Sequence, residues 1–247
     1  MLNINPNRLR FFYGTAPQPC PYLPGRLESK VVTELNSLDA AHLHNTLSRA
    51  GFRRSHSIAY RPACPDCNAC VPCRVRVEGF TLSKSMRRTL RRNSDIVASQ
   101  KQAFATEEQY SLFKVYEQAR HPDGEMASMD FNDYRSMVED TPVETFIIEF
   151  REESGRLVAV ALTDQLSDGL SGVYKFYTPE RATLSPGTFV ILWHIERVIS
   201  LGLPFFYLGY WISQSPKMAY KARFMPLEIL TETGWNKLTS ERSVAIP

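Results

Sequence analysis

The chain has 247 residues, 43% of them apolar and 22% charged, with 29 Lys+Arg against 26 Asp+Glu. That balance is the balance of an ordinary folded chain and excludes disorder and collagen-like repeats. No run approaches the roughly 18 consecutive apolar residues of a membrane helix, and the opening MLNINPNRLRFF lacks the apolar core of a secretory leader. The expectation is a cytoplasmic protein with no membrane attachment, built as one bilobal unit or two interlocked halves.

Residues 14–26, GTAPQPCPYLPGR, read as a loop that presents Cys20. Residues 38–50 fit a short helix with Leu43 and Leu47 on one face, stopped at Gly51. A turn-rich cysteine segment fills 52–80 and ends in a short strand, VRV. Ser83 predicts an N-cap for a helix running to about residue 104. Thr106 with Gln109 is a capping box for a helix over 107–120, with Leu112, Phe113 and Tyr116 facing the core. HPDGEM breaks the chain before another short helix at 131–139.

Strand-like runs follow at 143–150, 156–164 and 171–179. Ser185-Pro186-Gly187 opens a helix over 187–200, stopped by Gly202. A strand at 204–211, a helix at 215–223 and a strand at 225–230 complete an α+β pattern. The reading divides at residue 104, with a cysteine-bearing region over 1–104 and a second region over 105–247.

The small net charge conceals an asymmetry. Residues 1–100 carry 15 Lys+Arg against 6 Asp+Glu, and residues 101–247 carry 14 against 20. A basic half of this kind suits a polyanion, with a plain solvated face as the alternative. The excess peaks at Lys84, Arg87, Arg88, Arg91 and Arg92, five cations within nine residues and no acid among them. On a helix, Lys84, Arg87, Arg88 and Arg91 form one stripe suited to phosphates.

Cys64, Cys67, Cys70 and Cys73 repeat C-x2-C three times. Thiolates at that spacing can turn toward one zinc ion or iron–sulfur cluster, with Cys20 as a distant ligand; a turn packed around inert thiols is the alternative. Arg53, Arg54 and Arg61 precede them and fit equally a substrate carboxylate, a loop brace or a phosphate. In the acidic half, Tyr174-Lys175-Phe176-Tyr177, Tyr207, Tyr210 and Trp211 are strand core or the lining of an acceptor pocket. Alternation sets Tyr174 and Phe176 on one face and Lys175 and Tyr177 on the other. His194, between apolar neighbours, reads as a satisfied core histidine. No nucleophile elbow, P-loop, H-E-x-x-H or dinucleotide fingerprint is present.

Taken together, C-x-Y-L-P at 20–24, GFRRS at 51–55, YRPxCxxCxAC at 60–70, SKSMRRxLRRN at 83–93 and YxFYxP at 174–179 resemble the aminoacyl-tRNA–protein transferases. More narrowly, the chain resembles the bacterial aspartate/glutamate leucyltransferase branch, in the same order and over nearly its whole length. The resemblance implies a GNAT-like acyltransferase fold with a basic, cysteine-bearing N-terminal region. It implies transfer of leucine from leucyl-tRNA to proteins that begin with Asp or Glu, marking them for degradation. Two departures stand out: Leu23 occupies a position where the eukaryotic arginyltransferase branch has a second cysteine, and Cys73 is an additional one. An aminoacyl ester is already activated, so this transfer needs neither an enzyme nucleophile nor a cofactor. It needs positioning, proton removal and oxyanion stabilisation.

On this reading Tyr177, Lys175 and Tyr210 are the candidate catalytic surface. Arg54, Arg61 and Tyr174 are the candidate acceptor readers. The Lys84–Arg92 cations hold tRNA, and Cys20, Cys64, Cys67 and Cys70 are candidate zinc or iron–sulfur ligands. Arginine as the transferred residue, or a non-catalytic RNA-binding or redox-sensing cysteine module, are the rival readings.

Overall fold

The computed structural model describes residues 10–36 and 38–239; the start of the segment read against a secretory leader lies outside them. In chain order the strands are β1 (Tyr13–Gly14), β2 (Gln18–Pro19), β3 (Leu27–Glu28), β4 (Lys30–Glu34), β5 (Arg53–Ser55), β6 (Ile58–Pro62), β7 (Val71–Arg76), β8 (Ile96–Gln102), β9 (Thr145–Glu152), β10 (Leu157–Leu166), β11 (Gly169–Tyr177), β12 (Phe205–Trp211), β13 (Leu227–Thr231) and β14 (Gly234–Lys237). The helices are α1 (Ala40–Arg49), α2 (Lys84–Arg92), α3 (Glu107–Arg120), α4 (Phe131–Glu139), α5 (Pro186–Ser200) and α6 (Pro216–Ala219). This is the expected α+β composition. No helix among the described residues is long and apolar enough to cross a membrane.

Eight strands form one sheet in the order β14-β13-β7-β12-β11-β10-β9-β8. All its pairs are antiparallel except β11 with β12. Burial on both faces explains the nearly unbroken apolar run LVAVAL in β10. One face carries α5 and Met86 of α2, packed on Ile148, Phe150, Ala159 and Ala161. The other carries α3 and α4, whose Phe113, Tyr116, Tyr134 and Met137 pack on Ile147, Val160, Leu162 and Phe176. A smaller sheet, β1-β4-β6-β5, has α1 on one side, where Leu43 and Leu47 meet Leu35 and Ala59.

Both expected helix starts hold. Ser83 Oγ accepts from the Met86 amide at 3.2 Å, and Thr106 and Gln109 cap one another reciprocally. The helix expected to reach residue 104 ends at Arg92. Asn93, 2% exposed, donates from Nδ2 to Thr89 O and Leu184 O, both at 2.9 Å, and closes the last turn. Ile96 and Val97 then enter β8, which pairs with β9 along its whole length; a sheet edge in need of a partner overrides local helix propensity. The helix expected at 215–223 splits into α6 and a 3-10 turn, Tyr220–Arg223. Strands β4, β5, β6 and β14 were not expected; they are short, and their side chains do not alternate in polarity. The large sheet takes β7 and β8 from before residue 104 and the rest from after it.

Candidate active site at the parted strands

β11 and β12 run side by side over only three pairs, Gly169↔Phe205, Leu170↔Phe206 and Ser171↔Tyr207, and then separate. β11 continues along β10 and β12 along β7, with a register shift between Tyr207 and Gly209. Parting leaves carbonyls on the facing edges without a strand partner, and buried carbonyls require donors. Arg53 of β5 supplies them. Its guanidinium donates to Gly172 O at 2.7 Å, Val173 O at 2.9 Å and Leu208 O at 3.4 Å. Gly209, at φ +78°, leaves the space, since an added Cβ there would lie 1.4 Å from an Arg53 nitrogen.

Polar side chains follow on β11 beyond the opening and on the elements packed against it. The Tyr174 hydroxyl donates to the Glu117 carboxylate, which is 1% exposed. Burial raises the Glu117 carboxyl above its ordinary range, and burial followed by the Glu117 bond raises the Tyr174 phenol. Lys175 Nζ stands 3.4 Å from the Tyr220 hydroxyl. The Tyr177 ring meets Tyr116 edge-on at 4.9 Å, and it lies against Gly187 at the start of α5, 3.0 Å from where a Cβ would be. Lys221 is buried and donates to Tyr210 O at 2.6 Å; burial pulls its ammonium down to about 7. None of Arg53, Lys175 or Lys221 pairs with a carboxylate among the described residues. These cations thus carry no local countercharge, while Glu117 supplies a buried carboxylate bound to Tyr174.

The expected site residues divide. Tyr174, Lys175 and Tyr177 lie on β11 past the point where β12 leaves it. Tyr210, on β12, is 4% exposed, and its hydroxyl is held 3.1 Å from both Gly51 O and Tyr60 O, so it braces two backbone segments. Arg54 is also displaced from its expected role. Its side chain is 0% exposed and forks onto Asp164 through two 2.7 Å bonds, with Thr145 and His44 completing the cluster. A buried fork already bound to a carboxylate cannot read another, and it welds the small sheet to the large one. Arg61 is exposed and donates to Ala50 O at 3.1 Å. His194 is a satisfied core histidine, between Thr163 Oγ1 at 2.8 Å and Val190 O at 2.7 Å and stacked on Phe206. Sequence reading grouped Arg53 with its neighbours and passed over Glu117, Lys221 and Gly209. Only their position in the fold separates them from ordinary surface or core residues.

Cys20, Cys67 and Cys70 gather around Leu23, Ala69 and Ile212, and the Cys64 backbone pairs with that of Cys67. Burial, with the three other thiols beside it, pushes Cys70 up to about 12. Arg26 donates to Cys67 Sγ at 3.1 Å. Among the described residues no three His, Cys, Asp or Glu side chains are arranged to hold a metal ion. The four thiols are nonetheless gathered in one place, as their spacing suggested. Cys73 lies apart, buried in the main core.

The five α2 cations are exposed, and none has a carboxylate partner among the described residues. Arg92 donates to Thr183 O, and Asn93 to Leu184 O, so the end of α2 is tied to the turn that leads into α5. The C-terminal end of α2 therefore lies beside the start of α5, against which Tyr177 packs.

Comparison with known proteins assigns the chain to a family. The family model of the arginine-tRNA-protein transferase N terminus matches residues 18–88, and that of the C terminus matches residues 108–231. The chain belongs to the arginine-tRNA-protein transferase family. Within it, the chain is 54% identical to an aspartate/glutamate leucyltransferase of Gluconacetobacter diazotrophicus, over 98% of this chain and 93% of that one. It is also 54% identical to the one of Paramagnetospirillum magneticum (93% and 94%), and 50% identical to the one of Gluconobacter oxydans (95% and 98%). Among solved structures, the C-terminal DUF2156 domain of an Agrobacterium fabrum protein superposes with a TM-score of 0.49 at 13% identity, over 79% of this chain and 65% of that one. A GCN5-related glucosamine N-acetyltransferase region of a fungal multi-domain protein superposes with a TM-score of 0.41 at 10% identity, over 82% and 22%.

Proposed function

We infer that the chain transfers leucine from leucyl-tRNA to the N-terminal Asp or Glu of proteins, on a GNAT-like acyltransferase sheet. The observation that supports this most is the opening between β11 and β12, with Arg53 bonded to its edges and Tyr174, Lys175 and Tyr177 following on β11. A cation without a carboxylate partner beside the opening favours an acidic acceptor terminus. It also favours the uncharged, nucleophilic form of the adjacent α-amine. The amine attacks the aminoacyl ester carbonyl, the amide bond forms, and the tRNA 3′ oxygen leaves with a proton. Glu117, hydrogen-bonded through Tyr174, is the carboxylate available to take up the amine's proton. Hydroxyl and cationic donors at the opening suit the tetrahedral oxyanion.

The α2 stripe, whose end is tied to the turn before α5, holds the tRNA backbone in this reading. The full-length match to leucyltransferases favours leucine over arginine as the cargo. The direct test is to offer labelled leucyl-tRNA and arginyl-tRNA in parallel with a peptide that begins with Asp. Leucine transfer alone is expected. Arginine transfer would reassign the donor, and RNA binding without transfer of either would favour a non-catalytic module.

A further inference from the structure

The four-stranded sheet has one face covered by α1 and another that is open at its β1 edge and meets Tyr210, 6.4 Å from the Tyr60 ring, toward β5. Thr33, Arg54 and Ala59 point to the α1 side and are buried. On the opposite face the register aligns Tyr13 with Val32, Val32 with Tyr60, and Tyr60 with Arg53. Cross-strand partners share a face, so these four side chains form a row across all four strands. With strands about 4.8 Å apart, the row is about 14 Å long.

Its outer end is exposed and aromatic. Phe11 is 62% and Tyr13 54% exposed, and their rings stack at 6.3 Å. Exposed rings clustered at a sheet edge mark an interaction surface. Midway, Lys30 Nζ, ion-paired with Glu28 at 2.9 Å, sits 5.7 Å from the centre of the half-buried Tyr60 ring. The inner end is Arg53, whose guanidinium occupies the opening between β11 and β12. The row therefore starts in solvent and finishes at the candidate active site.

Exposed rings on a narrow path that ends at an arginine suit unpaired nucleic acid, whose bases offer a stacking face whatever their identity. We propose that this open face stacks the unpaired 3′-terminal bases of the charged tRNA and leads them to the opening at Arg53. The proposal rests on the transferase reading and adds to it a second RNA contact, distinct in chemistry from α2. The α2 stripe holds phosphates and is indifferent to whether the RNA is paired, whereas the aromatic row requires free bases.

The test uses the full chain and two RNA hairpins of the same stem, one blunt and one with an unpaired four-nucleotide 3′ tail. The intact protein should bind the tailed hairpin more tightly. Phe11→Ala and Tyr13→Ala, both at exposed positions, should each weaken binding of the tailed hairpin roughly tenfold and leave the blunt one unchanged. Tyr13→Trp should retain binding, because a ring and not a hydroxyl is needed. Equal affinity of the intact protein for both hairpins, or equal loss on both in the variants, would overturn the proposal while leaving leucine transfer intact. A rise in KM for the acceptor peptide with RNA affinity unchanged would assign the row to the protein acceptor and overturn it as well. If the intact protein binds neither hairpin nor charged tRNA, the transferase reading itself falls.

Discussion

Arg53 occupies the space that a side chain on Gly209 would need: a Cβ at that position would stand 1.4 Å from one of its guanidinium nitrogens. The two residues belong to different sheets and are more than 150 positions apart, yet together they hold β11 and β12 apart. Arg53→Ala leaves the carbonyls of Gly172, Val173 and Leu208 without a donor. Hydrogen bonds to a charged group are worth about 1.5–3 kcal/mol each, so unfolding in denaturant should show a loss of at least ~2 kcal/mol. Gly209→Ala should cost a similar amount. In the double variant the costs should not add, because with Arg53 gone only the strain of Ala at positive φ remains, about 1 kcal/mol. Strict additivity would mean that the two do not share this space.

Arg54 should behave as a brace. Its side chain and that of Asp164 are both 0% exposed, and removing one member of a buried pair strands the other at a cost of about 3–5 kcal/mol. Arg54→Ala is expected to lower stability by that amount and to reduce transfer to Asp and Asn peptides in equal proportion. A selective loss on Asp peptides, with stability unchanged, would return Arg54 to the acceptor site.

The contrast between Arg53 and Arg54 shows how far the sequence was legible. Elements with strong local signals were readable: the caps at Ser83 and Thr106, the α5 start at Pro186, the alternation in β11. The α2 stripe was readable because charge and spacing are both local. Adjacent arginines were not separable, because the side of β5 each one faces is decided by strands more than a hundred residues away. Tyr210 and Tyr177 were equally plausible as aromatic strand residues, and only the carbonyls of Gly51 and Tyr60 commit Tyr210 to the interior. Glu117 sits one residue beyond a core tyrosine on α3 and gives no signal until Tyr174 is brought to it.

His194 makes stability depend on pH. Burial lowers its imidazolium to about 4, against an ordinary value of 6.5. Below 6.5 the unfolded chain takes up a proton that the folded chain refuses, so unfolding becomes easier as pH falls from about 6.5 toward 4. In His194→Gln that part of the pH dependence should disappear. A slope identical to that of the parent protein across this window would place the acid sensitivity elsewhere.

The α2 stripe should appear in salt dependence. Replacing Arg87, Arg88 and Arg91 by Ala is expected to weaken tRNA binding and to reduce the slope of log affinity against log salt by roughly 2.7, or about 0.9 for each phosphate no longer neutralised. An unchanged slope would remove α2 from the RNA interface.

Lys175 connects the geometry of the opening to acceptor choice, and its substitution tests the transferase reading most directly. The measurement is the rate of labelled leucine transfer from leucyl-tRNA to peptides beginning with Asp, Glu or Asn, for the parent protein and for Lys175→Met. The parent should transfer to Asp and Glu and discriminate against Asn. Lys175→Met should lose roughly ten- to a hundredfold of that discrimination, the equivalent of one charge-assisted hydrogen bond of about 1.5–3 kcal/mol. Absence of leucine transfer by the parent protein, or an equal fall on Asp and Asn peptides in Lys175→Met, would contradict the account.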